Sequence, residues 1–291
     1  YGEDINHWFS DLVNKNQGFK IPIDNPPPPM FTPFSIGQLT LQNRVVVAPM
    51  CQYSAKDGTP TEWQLVHLGN FAKGGAGLVI TEMTNVSSEG RISHQCTGLY
   101  HPDHIPAWRR VVDFVHKETN SKICVQLGHA GRKASCNIGW VDGGAPLKND
   151  KWQILAPSSI PFSPTSEIPK EMDRSDMDKV RDDYVRSAQM AAEVGFDMIE
   201  FHGAHGYLLS SFISPISNVR TDDYGGSLAN RMRFPLEVLS AVRDVWPSQK
   251  PISVRISAED WLGDRGNTGA EAVIIAKLFY DTGADIIHVS A

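Results

Sequence analysis

The chain has 291 residues, 41% of them hydrophobic and 21% charged, with a formal net charge of −6. Such a chain is long enough to bury a core without disulfide or metal staples. The acidic balance and the lack of long basic runs argue against a nucleic-acid partner, and the longest apolar runs fall far short of the roughly 20 residues that span a bilayer.

In chain order, the sequence opens on Tyr1 with no signal-like segment. The first 30 residues join a helix-like "INHWFSDLVNK" to "IPIDNPPPP", whose prolines Pro26 to Pro29 favour a stiff, extended spacer. Residues 1–30 therefore read as an N-terminal arm or interdomain linker, with an upstream domain implied by the second choice, and residues 31–291 as the folded domain. "FSIGQLTL" reads as a small hairpin able to plug the bottom of a barrel.

From Arg44 onward a short β-branched run, a loop and a helical pattern repeat. The strand candidates are "RVVVAPM", "GLVITEM", "KICVQLGH", "DMIEFHG", "ISVRISAED" and "DIIHVSA". Each is nearly continuous in apolar residues, as expected of strands buried on both faces of a parallel sheet. Between them, "SDMDKVRDDYVRSAQMAAEVG" places Met177, Val180, Tyr184, Ala188 and Ala191 on one stripe before a capping Gly195. "GSLANRMRFPLEVLSAVRDVW" predicts a helix bent at Pro235, and Thr268 with Glu271 predicts a capping box that opens another. "KGGAGLVI" precedes its strand, so it reads as a helix-to-strand connection and not as a phosphate loop. The α/β class follows, as a (β/α)8 TIM barrel with a capping hairpin. Six units are present and the last two βα units are absent from this chain. Cys51, Cys96, Cys124 and Cys136 show no C-x-x-C pair, which suggests a reduced, cytoplasmic setting.

In such barrels chemistry gathers at the carboxyl ends of the strands. Those ends supply Pro49, Met50, Cys51, Gln52 and Tyr53; Glu82 and Met83; Gln126 and His129; His202, His205 and Tyr207; Arg255, Ser257 and Asp260; His288 and Ser290. The set is rich in neutral donors and poor in carboxylates. His202 and His205 could ligate a metal, grip a substrate oxygen, or pack. A third ligand is not apparent, so no metal site is expected. Glu200 and Phe201 have opposite parity, so one faces the barrel interior; a carboxylate there needs a partner that the sequence does not name. The donor set suits a planar hydrogen-bonding cofactor: Gln126 offers an amide to an imide edge, Arg255 a permanent cation, the histidines two N–H groups, and Tyr207 a proton.

The stretches "RVVVAPMCQYSAKDG", "SKICVQLGHAGRKAS", "FHGAHGYLLSSFISPISNVRTDDYGGSLANRMRF" and "SVRISAED" together resemble the old yellow enzyme family of FMN-dependent ene-reductases, from about Met30 to Ala291. Cys51 with Tyr53, and His202 with His205 in place of a His–Asn pair, resemble its thermophilic-like bacterial branch. The resemblance implies FMN bound by Pro49, Met50, Cys51, Met83, Gln126 and Arg255, with Cys51 tuning the flavin. It implies His202 and His205 on the substrate's activating oxygen, Tyr207 as proton donor, Tyr53 as a further substrate contact, and NADH or NADPH as reductant. The expected partner is a small molecule with an activated double bond, and a homo-oligomer is compatible.

"SNVRTDDYGGS" reads as a loop-fixing network built on Arg220, Asp222 and Asp223 instead of a catalytic site. A connection of about 45 residues after the third strand, Gly131 to Ser175, is long enough to be functional, and is expected to wall the pocket. With the proline-rich arm, it raises a finer reading: the reductase part of a bifunctional 2-aminobenzoyl-CoA or salicyloyl-CoA monooxygenase/reductase, behind an FAD-dependent hydroxylase. The alternatives are a free-standing ene-reductase on small enones and a flavin-free barrel scaffold.

Overall fold

A computed structural model describes residues 2–290; Tyr1 and Ala291, at the two ends discussed above, lie outside the described residues. Helix α1 (Gly2–Gln17) comes first. The hairpin of β1 (Phe34–Ile36) and β2 (Leu39–Leu41) follows, then β3 (Val46–Val47), α2 (Glu62–Lys73), β4 (Leu78–Asn85), α3 (His104–Glu118) and β5 (Lys122–Gly128). The long connection carries α4 (Gly139–Asp142), β6 (Leu155–Ala156) and β7 (Lys170–Glu171). Thereafter come α5 (Arg174–Val194), β8 (Met198–Gly203), α6 (Leu208–Ile213), α7 (Leu228–Val245), β9 (Ile252–Ser257), α8 (Gly269–Asp281) and β10 (Ile286–Ser290).

Six parallel strands form one curled sheet in the order β10-β9-β8-β5-β4-β3. Each is the neighbour of the next in sequence, the winding of a (β/α)8 barrel and not of a doubly wound sheet. β3 and β10 are the sheet's edges, and a cleft of about 450 Å³ between them is lined by Arg44, Val46, Glu200, Ile287 and His288 among others. The expected first strand, Arg44 to Met50, is much shorter than its apolar run. As an edge it pairs only with β4, and Pro49 has no N–H to offer a ladder.

The hairpin does close the barrel's floor. Ile36, Leu39 and Leu41 pack on Leu78, Ile80, Cys124 and Met198, which point in from β4, β5 and β8. Below it α1 is docked: the Arg44 guanidinium lies over both Phe9 and Phe34, 4.9 and 4.7 Å from their centroids, and Asn14 bonds both backbone groups of Ile21.

The helices end where their residues require. Gly195 terminates α5 at φ +103, a conformation glycine adopts without penalty, and Thr268 and Glu271 make the capping box of α8. Pro235 lies inside α7, which runs through it. Outside the sheet, Phe201 stacks on Tyr184 of α5, centroids 5.5 Å apart. This resolves the parity of β8: Phe201 faces the helices and Glu200 the interior. The loop network also forms, with Arg220 bonding Asp222 and the carbonyls of Pro157 and Met172 at 2.9 and 2.8 Å. Asp223 contributes its carbonyl, to Arg233, rather than its carboxylate.

Candidate active site

The carboxyl ends of β4, β5, β8 and β9 and the segment after β3 converge above the barrel interior. Met83, Ile92, Cys96, Ala130, Ala134 and Ile154 form a small buried cluster, and Cys51, Tyr53 and Tyr207 pack against it. Cys51 is held by the Met83 backbone, and burial pushes its thiol up, with Cys96 and Glu82 adding to the shift. Pro49 is half-buried and Met50 exposed at the rim.

Glu82 fixes this rim from beneath. Its carboxylate accepts from the backbone N–H of Gln52 at 3.0 Å and from Gln64 Nε2 at 3.0 Å. Burial nevertheless pushes it up to about 7. Gln52 and Asp260, both at strand ends, serve loops: Gln52 bonds Met50 and Trp63, and Asp260 bonds Ser214 and Asn267.

β8 delivers the two histidines. His202 is buried; its Nδ1 accepts the N–H of Ala204 at 3.3 Å, which leaves the ring proton on Nε2. Burial holds it well below the usual histidine range, with His205, Arg255 and Lys133 acting in the same direction. His205 has φ +59, pinned by its own N–H to Ser257 Oγ at 2.9 Å. Its Nε2 lies 2.8 Å from Ser290 Oγ. Arg255 donates to that same oxygen at 3.4 Å. Burial, then Arg255, lowers His205 to about 4. At neutral pH both rings are uncharged, and His202 presents its Nε2–H.

Tyr207 caps α6. Its ring meets that of His202 edge to face, and Lys133 Nζ lies 4.8 Å from its centroid. Burial raises its phenol, which keeps the proton at neutral pH. Across the site, Tyr53 meets Trp140 of the long connection, centroids 5.5 Å apart.

Among the buried side-chain atoms that lack a partner are two donors on strand-end residues, Arg255 Nε and His129 Nε2. Gly128 completes the cradle. A Cβ there would stand 2.6 Å from Met83 Cγ and 3.3 Å from His202 Cβ. An unpaired guanidinium nitrogen, the amide of Gln126 and a wall shaved to glycine fit a flat ring with an imide edge. Among the described residues no group of three or more His, Cys, Asp or Glu is placed to hold a metal, and no helix is long and apolar enough to cross a membrane.

Cys51, Tyr53 and Tyr207 thus pack on the cluster that holds Met83, Tyr207 meets His202, and His205 and Arg255 share Ser290, whereas Gln52 and Asp260 serve loops. Residues not singled out in the sequence are Lys133, which donates to the His205 carbonyl at 3.1 Å, and Ser253, which donates to Glu200. A cation inside the "HAGRK" turn was the available signal for the first.

This is the constellation of a flavin-dependent oxidoreductase built on a barrel. The chain belongs to the NADH:flavin oxidoreductase / NADH oxidase family, which matches it over residues 29–291, and it is an FMN-dependent NADH/NADPH oxidoreductase of the old yellow enzyme type. It is 44% identical over 276 residues to an NADH:flavin oxidoreductase of Gibberella zeae, covering 90% of this chain and 67% of that one. It is 42% identical over 264 residues to an NADPH dehydrogenase of a Geobacillus species, covering 90% and 72%. Among solved structures it is similar to morphinone reductase in complex with tetrahydroNAD (30% identity, TM-score 0.77, 90% and 74% covered). It is also similar to 2-naphthoyl-CoA reductase in complex with 2-naphthoyl-CoA (25%, 0.80, 90% and 40% covered).

Proposed function

We propose that this protein reduces the C=C bond of an activated alkene. The observation that carries the reading is the pair of neutral imidazoles, His202 with its Nε2–H free, held beside a protonated Tyr207. Pro49, Met50, Cys51, Met83, Gln126 and Arg255 would hold the FMN ring, which would supply hydride drawn from NADH or NADPH. His202 Nε2–H and the His205 ring grip the substrate's carbonyl oxygen, where negative charge grows as the β-carbon is reduced. Preorganised donors in a dry site favour that charge. Tyr207 gives its proton to the α-carbon, Tyr53 adds a bond to substrate, and Cys51 would tune the flavin.

A free-standing enzyme on small enones is the first reading, because the relatives above 40% identity are described as NADPH dehydrogenases and an NADH:flavin oxidoreductase. An aromatic or enoyl CoA thioester, reduced within a larger bifunctional flavoprotein that carries an FAD hydroxylase, is the second. The likeness to 2-naphthoyl-CoA reductase and the proline-rich residues 26–29 favour it. The division into an arm, residues 1–30, and a barrel domain belongs with this proposal, as does a cytoplasmic setting for its four free cysteines.

The test is an anaerobic visible spectrum with FMN, recorded before and after NADH or NADPH and then after cyclohexenone or an aromatic CoA thioester. Bleaching by the nicotinamide and recovery with one acceptor supports the reading and picks the substrate class. A bleached band that neither acceptor restores sinks the ene-reductase assignment.

A further inference from the structure

The geometry points to Glu200 as a positioning residue that sets which way round the Gln126 amide faces the flavin. Glu200 is fully buried in the barrel interior. In the sheet register it lies opposite Gln126 of β5 on one side and Ser253 of β9 on the other. Its Oε1 accepts from Gln126 Nε2 at 2.8 Å. Its Oε2 lies 2.9 Å from both Ser253 Oγ and His288 Nδ1. Three donors from three different strands meet one carboxylate, which leaves it no unsatisfied oxygen.

The physical consequence falls on Gln126. A primary amide can be turned over at little cost in shape, so something must choose between its oxygen and its nitrogen. Glu200 Oε1 is the acceptor of that bond. The flipped amide would set oxygen against oxygen in a buried place, leaving both without a donor. Glu200 therefore fixes the NH₂ group downward and leaves Gln126 Oε1 as an acceptor on the opposite side. Resting on the reading that Gln126 meets the pyrimidine edge, this makes Oε1 the acceptor for the imide N3–H, and the site selective for a flavin that carries that hydrogen. Neither Ser253 nor His288 does this, since both spend their bonds on the other carboxylate oxygen.

The experiment compares binding of FMN and of 3-methyl-FMN, which lacks the imide hydrogen, to the full-length protein, followed by fluorescence quenching. Wild type is expected to prefer FMN. Glu200→Gln, isosteric but able to pair with Gln126 in either orientation, is expected to shrink that preference roughly five- to tenfold, the worth of about one hydrogen bond. Ser253→Ala leaves the Oε1 bond intact and is expected to keep it. No preference in wild type would overturn the Gln126 contact itself. Preference in wild type that Glu200→Gln retains would overturn the role of Glu200 alone. Should that variant not fold, selective ¹⁵N-glutamine labelling of wild type decides, with Gln126→Leu as assignment control. A side-chain amide proton protected from exchange without flavin supports the proposal, and free exchange overturns it.

Discussion

The rings of His202 and Tyr207 meet edge to face, with centroids 4.7 Å apart at 85°. The group proposed to hold the substrate oxygen and the group proposed to deliver the proton therefore pack directly on each other, across the turn between β8 and α6. Tyr207→Phe keeps this packing and removes only the hydroxyl. Oxidation of the reduced flavin by an enone should slow by about 10²- to 10⁴-fold, the range for a lost general acid. Flavin reduction by NAD(P)H should stay unchanged. Stopped-flow spectroscopy of the two half-reactions checks this, and equal slowing of both would remove Tyr207 from its role.

Stability should pass through a maximum between roughly pH 6 and 7. His129, lowered to about 4 by burial, and His205, also lowered to about 4, bind fewer protons folded than unfolded. Stability present above their ordinary value near 6.5 is lost as pH falls toward 4. Glu82, raised to about 7 by burial, works the other way: its contribution is complete below about 4.5 and is lost as pH rises through 7. In the shared window two histidines outweigh one glutamate. Urea midpoints from pH 4.5 to 8 should show the maximum, and Glu82→Gln should flatten the alkaline side.

Arg220→Ala should loosen the long connection before it unfolds the barrel. The guanidinium, almost fully buried, ties the carbonyls of Pro157 and Met172 to the loop that carries Asp222. Losing it strands buried acceptors, at about 2–3 kcal/mol. Limited proteolysis should cut residues 140–170 several-fold faster, with the global melting point less affected.

Cys51 should be a poor nucleophile in the native protein. Burial pushes its thiol up, and the thiolate is the reactive form. Iodoacetamide at pH 7.5, read by mass spectrometry, should label it only slowly until denaturant is added. Rapid native labelling would contradict this environment.

Much of this was legible in the sequence because the strand cores are continuous apolar runs and the site residues follow them at once. Helix ends at Gly195 and Thr268 were equally legible, since backbone chemistry dictates them. The length of β3 was not: a run of valines does not say whether it lies at an edge, and pairing from one side decided how much of it forms a ladder. The partners of Glu200 were hidden for a different reason. They arrive from β5, β9 and β10, and register between strands so far apart in the chain is a property of the folded sheet, not of any local pattern. Lys133 was within reach, lying in a quoted motif, but only the fold brings its ammonium to the His205 carbonyl.

His205 holds its place with a left-handed backbone, φ +59, followed by Gly206 at φ +72. Among residues with a side chain, asparagine, aspartate and histidine tolerate that conformation best. The alternatives open at this position are therefore few, and histidine and asparagine are the two that also end in a neutral N–H. The His–Asn pair with which His202 and His205 were contrasted is thus a change the main chain allows without moving. Drift at this position is channelled by conformation toward side chains that preserve the chemistry.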